Sequence, residues 1–64
     1  MSRRELEEHL RTHGCECVRN GAKHDLWRNP ATGGLAAVPR HRFIARGTVR
    51  GICRSLGVPL PPGF

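Results

Sequence analysis

His24 lies directly after Lys23, the only lysine in a chain whose other cations are all arginines. RNA can be cleaved by its own 2′-hydroxyl when a base removes the hydroxyl proton and an acid helps the 5′-oxygen to leave. Histidine can play either part near neutral pH, because its side chain titrates there. We therefore interpret His24 as a candidate proton-transfer residue for phosphodiester cleavage. The alternative is a surface histidine at the start of a strand.

The charge balance points to an anionic partner. The 64 residues carry 11 Lys+Arg and 5 Asp+Glu, which gives a net charge of +6 at pH 7. Such a density favours polyanions through phosphate contacts and counterion release, and the planar arginine side chain fits phosphate oxygens well. A nucleic acid is the leading prediction. An acidic protein partner, or a basic surface that is merely solvated, explains the same composition.

The length of the chain predicts one small domain. A domain of this size buries only about 60% of its unfolded surface, so its core is marginal and help from another chain is plausible. No apolar stretch reaches the roughly 18 residues of a membrane span, and the charged start does not read as a signal peptide. We expect a cytoplasmic protein. The odd count of 3 cysteines fits reduced thiols, since Cys15 and Cys17 are too close in one extended strand to bridge each other.

The first part of the chain predicts a helix followed by three strands. Ser2 and Glu5 have the spacing of a capping box, and Gly14 supplies the helix stop. The following segments alternate with period two, and Pro39 ends the third because it has no amide hydrogen for a strand ladder. The predicted ranges are a helix over 2–13 and strands over 15–19, 24–29 and 35–38.

The clearest amphipathic helix is the last element. Its apolar residues recur at i, i+3, i+4 and i+7, and Gly57 ends it. These residues are Val49, Ile52, Cys53 and Leu56. Residues 59–64 are too rich in proline for a further element, so we predict a domain over 1–58 and a mobile, proline-rich tail.

A row of arginines runs along a neighbouring face of the same helix. Arg46, Arg50 and Arg54 recur every four residues. Such a row is either a track for phosphates or partner carboxylates, or a solvated face without a role.

The predicted order is α-β-β-β-α, with a three-stranded antiparallel sheet and two helices on one face. This α+β arrangement is that of a double-stranded-RNA-binding domain, reduced in size. With these elements in place, residues 3–58 resemble the HicA (YcfA-like) mRNA interferase toxins. The most specific segments of the resemblance are His24 to Pro30, which ends in Asn-Pro, then Val38-Pro39-Arg40-His41, and Gly47-Thr48-Val49-Arg50.

The resemblance implies the toxin of a type II toxin–antitoxin system. Such a toxin cleaves mRNA without a metal or other cofactor and is held silent by a HicB-like antitoxin; we expect it to be a monomer when free. The family's catalytic histidine falls on His24. The family usually has Gly-Ser or Gly-Thr before that histidine, whereas this chain has Ala22 and Lys23.

The predicted RNA contacts are mostly cationic. Lys23 is a weaker candidate than His24. Neighbouring strand residues point to opposite faces, so Lys23 reaches the same phosphate only if the turn at Gly21 twists the chain. His41 could bind RNA, contact the antitoxin, end the strand or act as an acid. The predicted contacts are Lys23, Arg28, Arg40, His41, Arg46, Arg50 and Arg54.

Three alternatives stay open. Two histidines before two cysteines form a ligand set that zinc accepts, although the predicted helix stop leaves little slack and we predict no metal. Trp27 lies on the strand face opposite Leu26, so it either reaches the open side of the sheet, to stack on a base or anchor an antitoxin, or it packs inside. The alternative function is a non-catalytic RNA- or protein-binding module of the same fold. The zinc candidates are His9, His13, Cys15 and Cys17.

Overall fold

The computed structural model describes residues 1–64 and contains five elements around one sheet. They are α1 (Arg3–Thr12), β1 (Glu16–Asn20), β2 (His24–Asn29), β3 (Gly34–Pro39) and α2 (Arg46–Leu56). The three strands form one antiparallel sheet in the order β1-β2-β3. The predicted α-β-β-β-α order and the α+β fold are confirmed.

Helix α1 begins at the predicted capping box. The Ser2 hydroxyl accepts a hydrogen bond from the Glu5 amide, and the Glu5 carboxylate accepts one from the Ser2 amide, each at 3.1 Å. The bond from the Ser2 amide, aided by the Ser2 side chain, lowers the pKa of Glu5. The helix then places Leu6 and Leu10 in the core. Gly14 follows the helix at a φ of 85°, a left-handed conformation that favours glycine.

The core lies between the sheet and both helices. It is a single cluster of 11 buried side chains, and Trp27, at 1% exposure, is its largest member. Asp25 and Asn29 share the inner face of β2 with Trp27, so His24, Leu26 and Arg28 lie on the open face. Trp27 therefore packs inside, which decides between the two placements that the alternation left open.

Asn29 attaches the turn after β2 to the end of α2. Its side-chain amide donates to the Leu56 carbonyl at 2.8 Å, and its side-chain oxygen accepts from the Ala31 amide at 3.0 Å. The Thr32 hydroxyl donates to the same Leu56 carbonyl at 3.1 Å. These bonds satisfy a carbonyl that has no partner inside its own helix. Gly34 is required at this junction, because a Cβ there would collide with the Ser55 carbonyl oxygen.

The edge strand β1 is exposed along its whole length. All five residues are exposed, and the pairing register with β2 shifts between Cys17 and Arg19. Cys17 therefore lies outside the core, although Cys15, two residues earlier, is buried. Cys15 and Cys53 are buried. Burial raises the pKa of both thiols, and Cys15 adds to the rise at Cys53.

Residues 59–64 pack against both helices, whereas their composition predicted a mobile tail. His9 donates from Nε2 to the Pro59 carbonyl at 2.7 Å, and Pro61 is buried. The Arg46 guanidinium donates to the Gly63 carbonyl at 2.6 Å and lies 5.1 Å from the centre of the Phe64 ring. The packing has a physical reason: proline removes amide donors but leaves carbonyl acceptors that side chains can use. The domain boundary at residue 58 stays a prediction.

No helix of the structure combines the length and the apolar character that a membrane span requires.

The cysteine environments predict a single reactive thiol. A thiol–disulfide exchange reagent at neutral pH should modify Cys17 rapidly, and should modify Cys15 and Cys53 only after a denaturant is added. The thiolate is the reactive form, and burial disfavours it at the two core positions. Cys17→Ser should remove the rapid phase. More than one rapid thiol in the native protein would contradict the packing described here.

Candidate active site

An open cleft lies at the end of the sheet where β2 begins and β3 ends. His24, the first residue of β2, pairs with Pro39, the last residue of β3. The cleft beside this pair has a volume of about 530 Å³. Its lining residues are Ala22, Lys23, His24, Pro39, Arg40 and His41. Three of the predicted RNA contacts, Lys23, Arg40 and His41, thus gather around the predicted catalytic histidine.

The turn before β2 is what brings Lys23 into the cleft. The Gly21 amide donates to the His24 carbonyl at 2.9 Å, which closes a tight turn over residues 21–24. A Cβ on Gly21 would collide with that same carbonyl, so the turn requires glycine. Lys23 precedes the strand and is not bound by its alternation. Lys23 and His24 therefore line the same cleft, and the contact of Lys23 with RNA stays a prediction.

Arg40 holds this turn against β3 with its backbone and its side chain. Its amide donates to the Lys23 carbonyl at 3.0 Å, and its Nη1 donates to the Gly21 carbonyl at 3.0 Å. Its Nε lies 3.6 Å from Oδ1 of Asp25. One side chain therefore ties the turn to the residue that follows His24.

The contact between Arg40 and Asp25 matters for stability because Asp25 is buried. The residue is only 6% exposed, and its Oδ1 has no hydrogen-bond partner. A buried carboxylate is costly unless a cation lies beside it, and Arg40 is the cation paired with it here. Sequence reasoning did not single out Asp25. The signal that could have found it is an acidic residue on the strand face that also carries Trp27.

The open face of the sheet continues from the cleft. Cross-strand partners share a face, so His24, Leu26 and Arg28 lie beside Pro39, Ala37 and Leu35 respectively. Leu35 is 52% exposed. The Arg28 side chain is exposed and makes no hydrogen bond or ion pair with the chain. Between His24 and Arg28 this face thus has apolar side chains on β2 and β3, and the cation Arg19 beside Leu26 on β1.

The three arginines of α2 lie away from the cleft. Helix α2 packs its apolar side on the inner face of the sheet, opposite the face that carries His24. Arg46 is engaged by Gly63 and Phe64 of the C-terminal segment. Arg50 and Arg54 are exposed and make no ion pair within the chain. The structure therefore separates the predicted RNA contacts into a sheet group and a helix group.

A second depression, of about 560 Å³, lies along α1. Glu7 pairs with Arg3 at 3.6 Å and with Arg11 at 3.7 Å. These ion pairs neutralise part of the positive charge of the depression. The depression contains no histidine, and we regard it as structural. Sequence reasoning had not selected it, although the i,i+4 spacing of these residues is the signal for such pairs. Its lining residues are Ser2, Arg3, Arg4, Glu7, Glu8, Arg11 and Arg42.

The four residues weighed as zinc ligands do not come together. The His9 and His13 rings lie 4.7 Å apart on α1, but Cys15 is in the core and Cys17 is exposed on β1. No three His, Cys, Asp or Glu side chains are placed to hold one metal ion.

The family comparison can now be set beside this geometry. A family model described as the HicA toxin of bacterial toxin–antitoxin systems matches residues 3–58. The chain belongs to the HicA toxin family. The match includes all five elements and the whole cleft, and it confirms the resemblance read from the sequence.

It follows that this HicA protein is a toxin of a toxin–antitoxin system, with an antitoxin as its partner. No curated protein and no solved structure matches the chain.

The Arg40–Asp25 pair predicts a loss of stability when the cation is removed. Arg40→Ala should lower the free energy of unfolding by about 1–3 kcal/mol, because it leaves a buried carboxylate without a partner. Urea denaturation measures the change. Arg28→Ala is the matched control, an exposed arginine on the same sheet, and should stay within about 0.5 kcal/mol of the wild type. Equal losses in the two variants would mean that the pair contributes no special stability.

Proposed function

We propose that this chain is the toxin of a type II toxin–antitoxin system and acts as a metal-independent endoribonuclease, an mRNA interferase. His24 is its catalytic residue. The observation that carries the proposal is the cleft: an exposed imidazole bordered by Lys23 and Arg40, in a member of the HicA toxin family. Cations around an open imidazole suit an anionic substrate whose cleavage needs proton transfer.

The reaction uses the substrate's own nucleophile. His24 either accepts the 2′-hydroxyl proton as the 2′-oxygen bonds to the adjacent phosphorus, or donates a proton to the 5′-oxygen as its bond to phosphorus breaks, and water completes the other transfer. Lys23, at the rim of the same cleft, attracts the phosphate that becomes more negative as the attack proceeds. The products are a 2′,3′-cyclic phosphate and a 5′-hydroxyl. The imidazole itself moves the proton, so the step requires no metal ion.

The RNA follows the two groups of cations. Lys23, Arg40 and His41 contact the nucleotides at the scissile bond, and Arg28 contacts the strand across the open face. Arg46, Arg50 and Arg54 contact a more distant part of the RNA, which reaches α2 around the edge of the sheet.

The antitoxin is a HicB-like protein with an acidic surface. The net charge of +6 favours such a partner and speeds the encounter with it. A partner that binds only the folded toxin stabilises it by RT ln(1 + [L]/Kd), about 2.7 kcal/mol at a hundredfold excess over Kd. That gain is large for a core of 11 side chains.

A non-catalytic RNA- or protein-binding module is the second candidate. The observation that favours it is the residue before His24. Lys23 stands where the family usually has a small hydroxyl residue, so the substitution lies directly beside the catalytic position. The half-buried Leu26 and the exposed Leu35 on the open face would serve binding without any chemistry.

The proposed catalysis predicts a clean loss of activity in His24→Ala. Wild-type protein should cleave single-stranded RNA in EDTA, and expression of the chain alone should arrest growth. His24→Ala should do neither, yet should keep its circular dichroism spectrum and melting temperature, because His24 is exposed and its removal loses little buried surface. The matched control is His13→Ala, an exposed histidine on the far helix, which should remain active.

The outcomes separate the two candidates. A folded His24→Ala that still cleaves RNA removes His24 from the catalytic role. RNA retention without cleavage by both the wild type and His24→Ala selects the binding module.

The helix group predicts a change in the salt dependence of RNA binding. Reversing the charge of Arg50 and Arg54 to Glu should weaken binding and flatten the log–log salt slope by about 0.7 for each lost phosphate contact. The control is Arg4→Glu with Arg42→Glu, which changes the net charge equally in the depression along α1. Filter binding over a salt series measures both. Identical slopes in the two double variants would place the RNA away from α2.

A further inference from the structure

Two histidines line the cleft. His24 lies at the start of β2, and His41 lies in the segment that follows β3. Both residues are exposed. The other two histidines lie on α1 or at its end, with their rings 4.7 Å apart, and His9 is bonded to the Pro59 carbonyl. His41 is therefore the histidine that the fold brings to His24.

The backbone on both sides of His41 is fixed. The amide of Arg40 donates to the Lys23 carbonyl at 3.0 Å, which anchors the preceding residue to the turn before His24. The carbonyl of Arg42 accepts a hydrogen bond from the Arg3 amide at 3.0 Å, which anchors the following residue to the start of α1. The backbone of His41 is therefore held beside the cleft, and its side chain turns only about its own bonds.

RNA cleavage requires two proton transfers, which two neighbouring histidines can divide between them. The reaction needs a group that accepts the 2′-hydroxyl proton and a group that donates one to the departing 5′-oxygen. A single imidazole cannot be neutral and protonated at the same moment. Two imidazoles in one cleft can divide the states between them.

We propose that His41 is a second catalytic residue and that His24 and His41 act as an acid–base pair. The inference rests on the proposed ribonuclease function. The neutral imidazole accepts the proton of the 2′-hydroxyl as the 2′-oxygen bonds to phosphorus. The bond between phosphorus and the 5′-oxygen breaks, and the protonated imidazole gives its proton to that oxygen. Proton exchange with water then restores both side chains.

The charges around the pair hold the phosphate between them. Lys23 and Arg40 line the same cleft, Asp25 is buried beside Arg40, and Arg42 lines the depression along α1 instead. Asp25 is paired with Arg40 at 3.6 Å, so it does not compete with the substrate. The face that meets RNA thus consists of two imidazoles and two cations.

The pH profile tests the pair. The cleavage rate of the wild type should be bell-shaped in pH, since one group must be neutral and the other protonated. His41→Ala and His41→Gln should lose one limb of the bell and fall 10²- to 10⁴-fold in kcat, a range of about two to four decades typical of a lost proton-transfer group. Affinity for an uncleavable RNA with a 2′-deoxy linkage should stay within about twofold. Arg42→Ala, which removes the neighbouring cation, should keep both limbs.

The leaving group tests the division of roles. RNA with sulfur in place of the bridging 5′-oxygen has a leaving group that departs without a proton. Cleavage of this substrate should be restored in only one of His24→Ala and His41→Ala, and that variant lacks the acid. Restoration in either variant alone supports the pair.

The results that overturn the proposal are distinct from those that overturn the function. If His24→Ala is inert while His41→Ala and His41→Gln keep both limbs, or lose only RNA affinity, the ribonuclease stands and the pair is refuted. The pair is also refuted if the sulfur substrate restores neither variant. A wild-type protein that cleaves no RNA overturns the proposed function and the pair together.

Discussion

The arrangement of the cleft depends on the contact between Arg40 and Asp25. Asp25 lies on the inner face of β2, where a carboxylate without a cation would oppose folding. Arg40 supplies that cation and also donates to the Gly21 carbonyl, while its amide donates to the Lys23 carbonyl. The chain on either side of His24 is thus fixed by one residue of the opposite strand end. The buried charge is unfavourable for folding, but its pairing with Arg40 gives the backbone at His24 a defined position.

The elements could be predicted from the sequence because local signals determine them. The Ser2–Glu5 capping box, the period-two strands and the apolar spacing of the last helix each act over a few residues, and the structure follows them. The tail could not be predicted in this way. Its packing depends on His9 and Arg46, which donate to the carbonyls of Pro59 and Gly63. The first of these bonds joins residues 50 positions apart in the chain and the second joins residues 17 positions apart, and composition carries no information about such contacts.

The residue types of the candidate site could be predicted from the sequence. Which of those residues lie together in the fold could not. His24 could be chosen from its chemistry, and the family resemblance named the same residue. The sequence did not show that Trp27 faces the core. Alternation determines which residues share a face of the strand, but not which face the helices cover. The sequence also did not show that Arg40 and Arg46 have partners within the chain whereas Arg50 and Arg54 have none. Arginines of equal formal charge differ in what remains for a ligand.

The separation of the cations bears on how one small surface would serve the proposed RNA substrate as well as the antitoxin. A domain with 11 buried core side chains has little interior to spare for a second site, so both partners must use its surface. The sheet face offers an imidazole cleft next to apolar side chains, and α2 offers cations whose guanidinium groups are unpaired. RNA needs phosphate contacts on both sides of the scissile bond, whereas a protein partner gains most from covering apolar surface. Under the proposed function, the apolar side chains between His24 and Arg28 give RNA no phosphate contact, so they are the part of the open face that best suits an antitoxin.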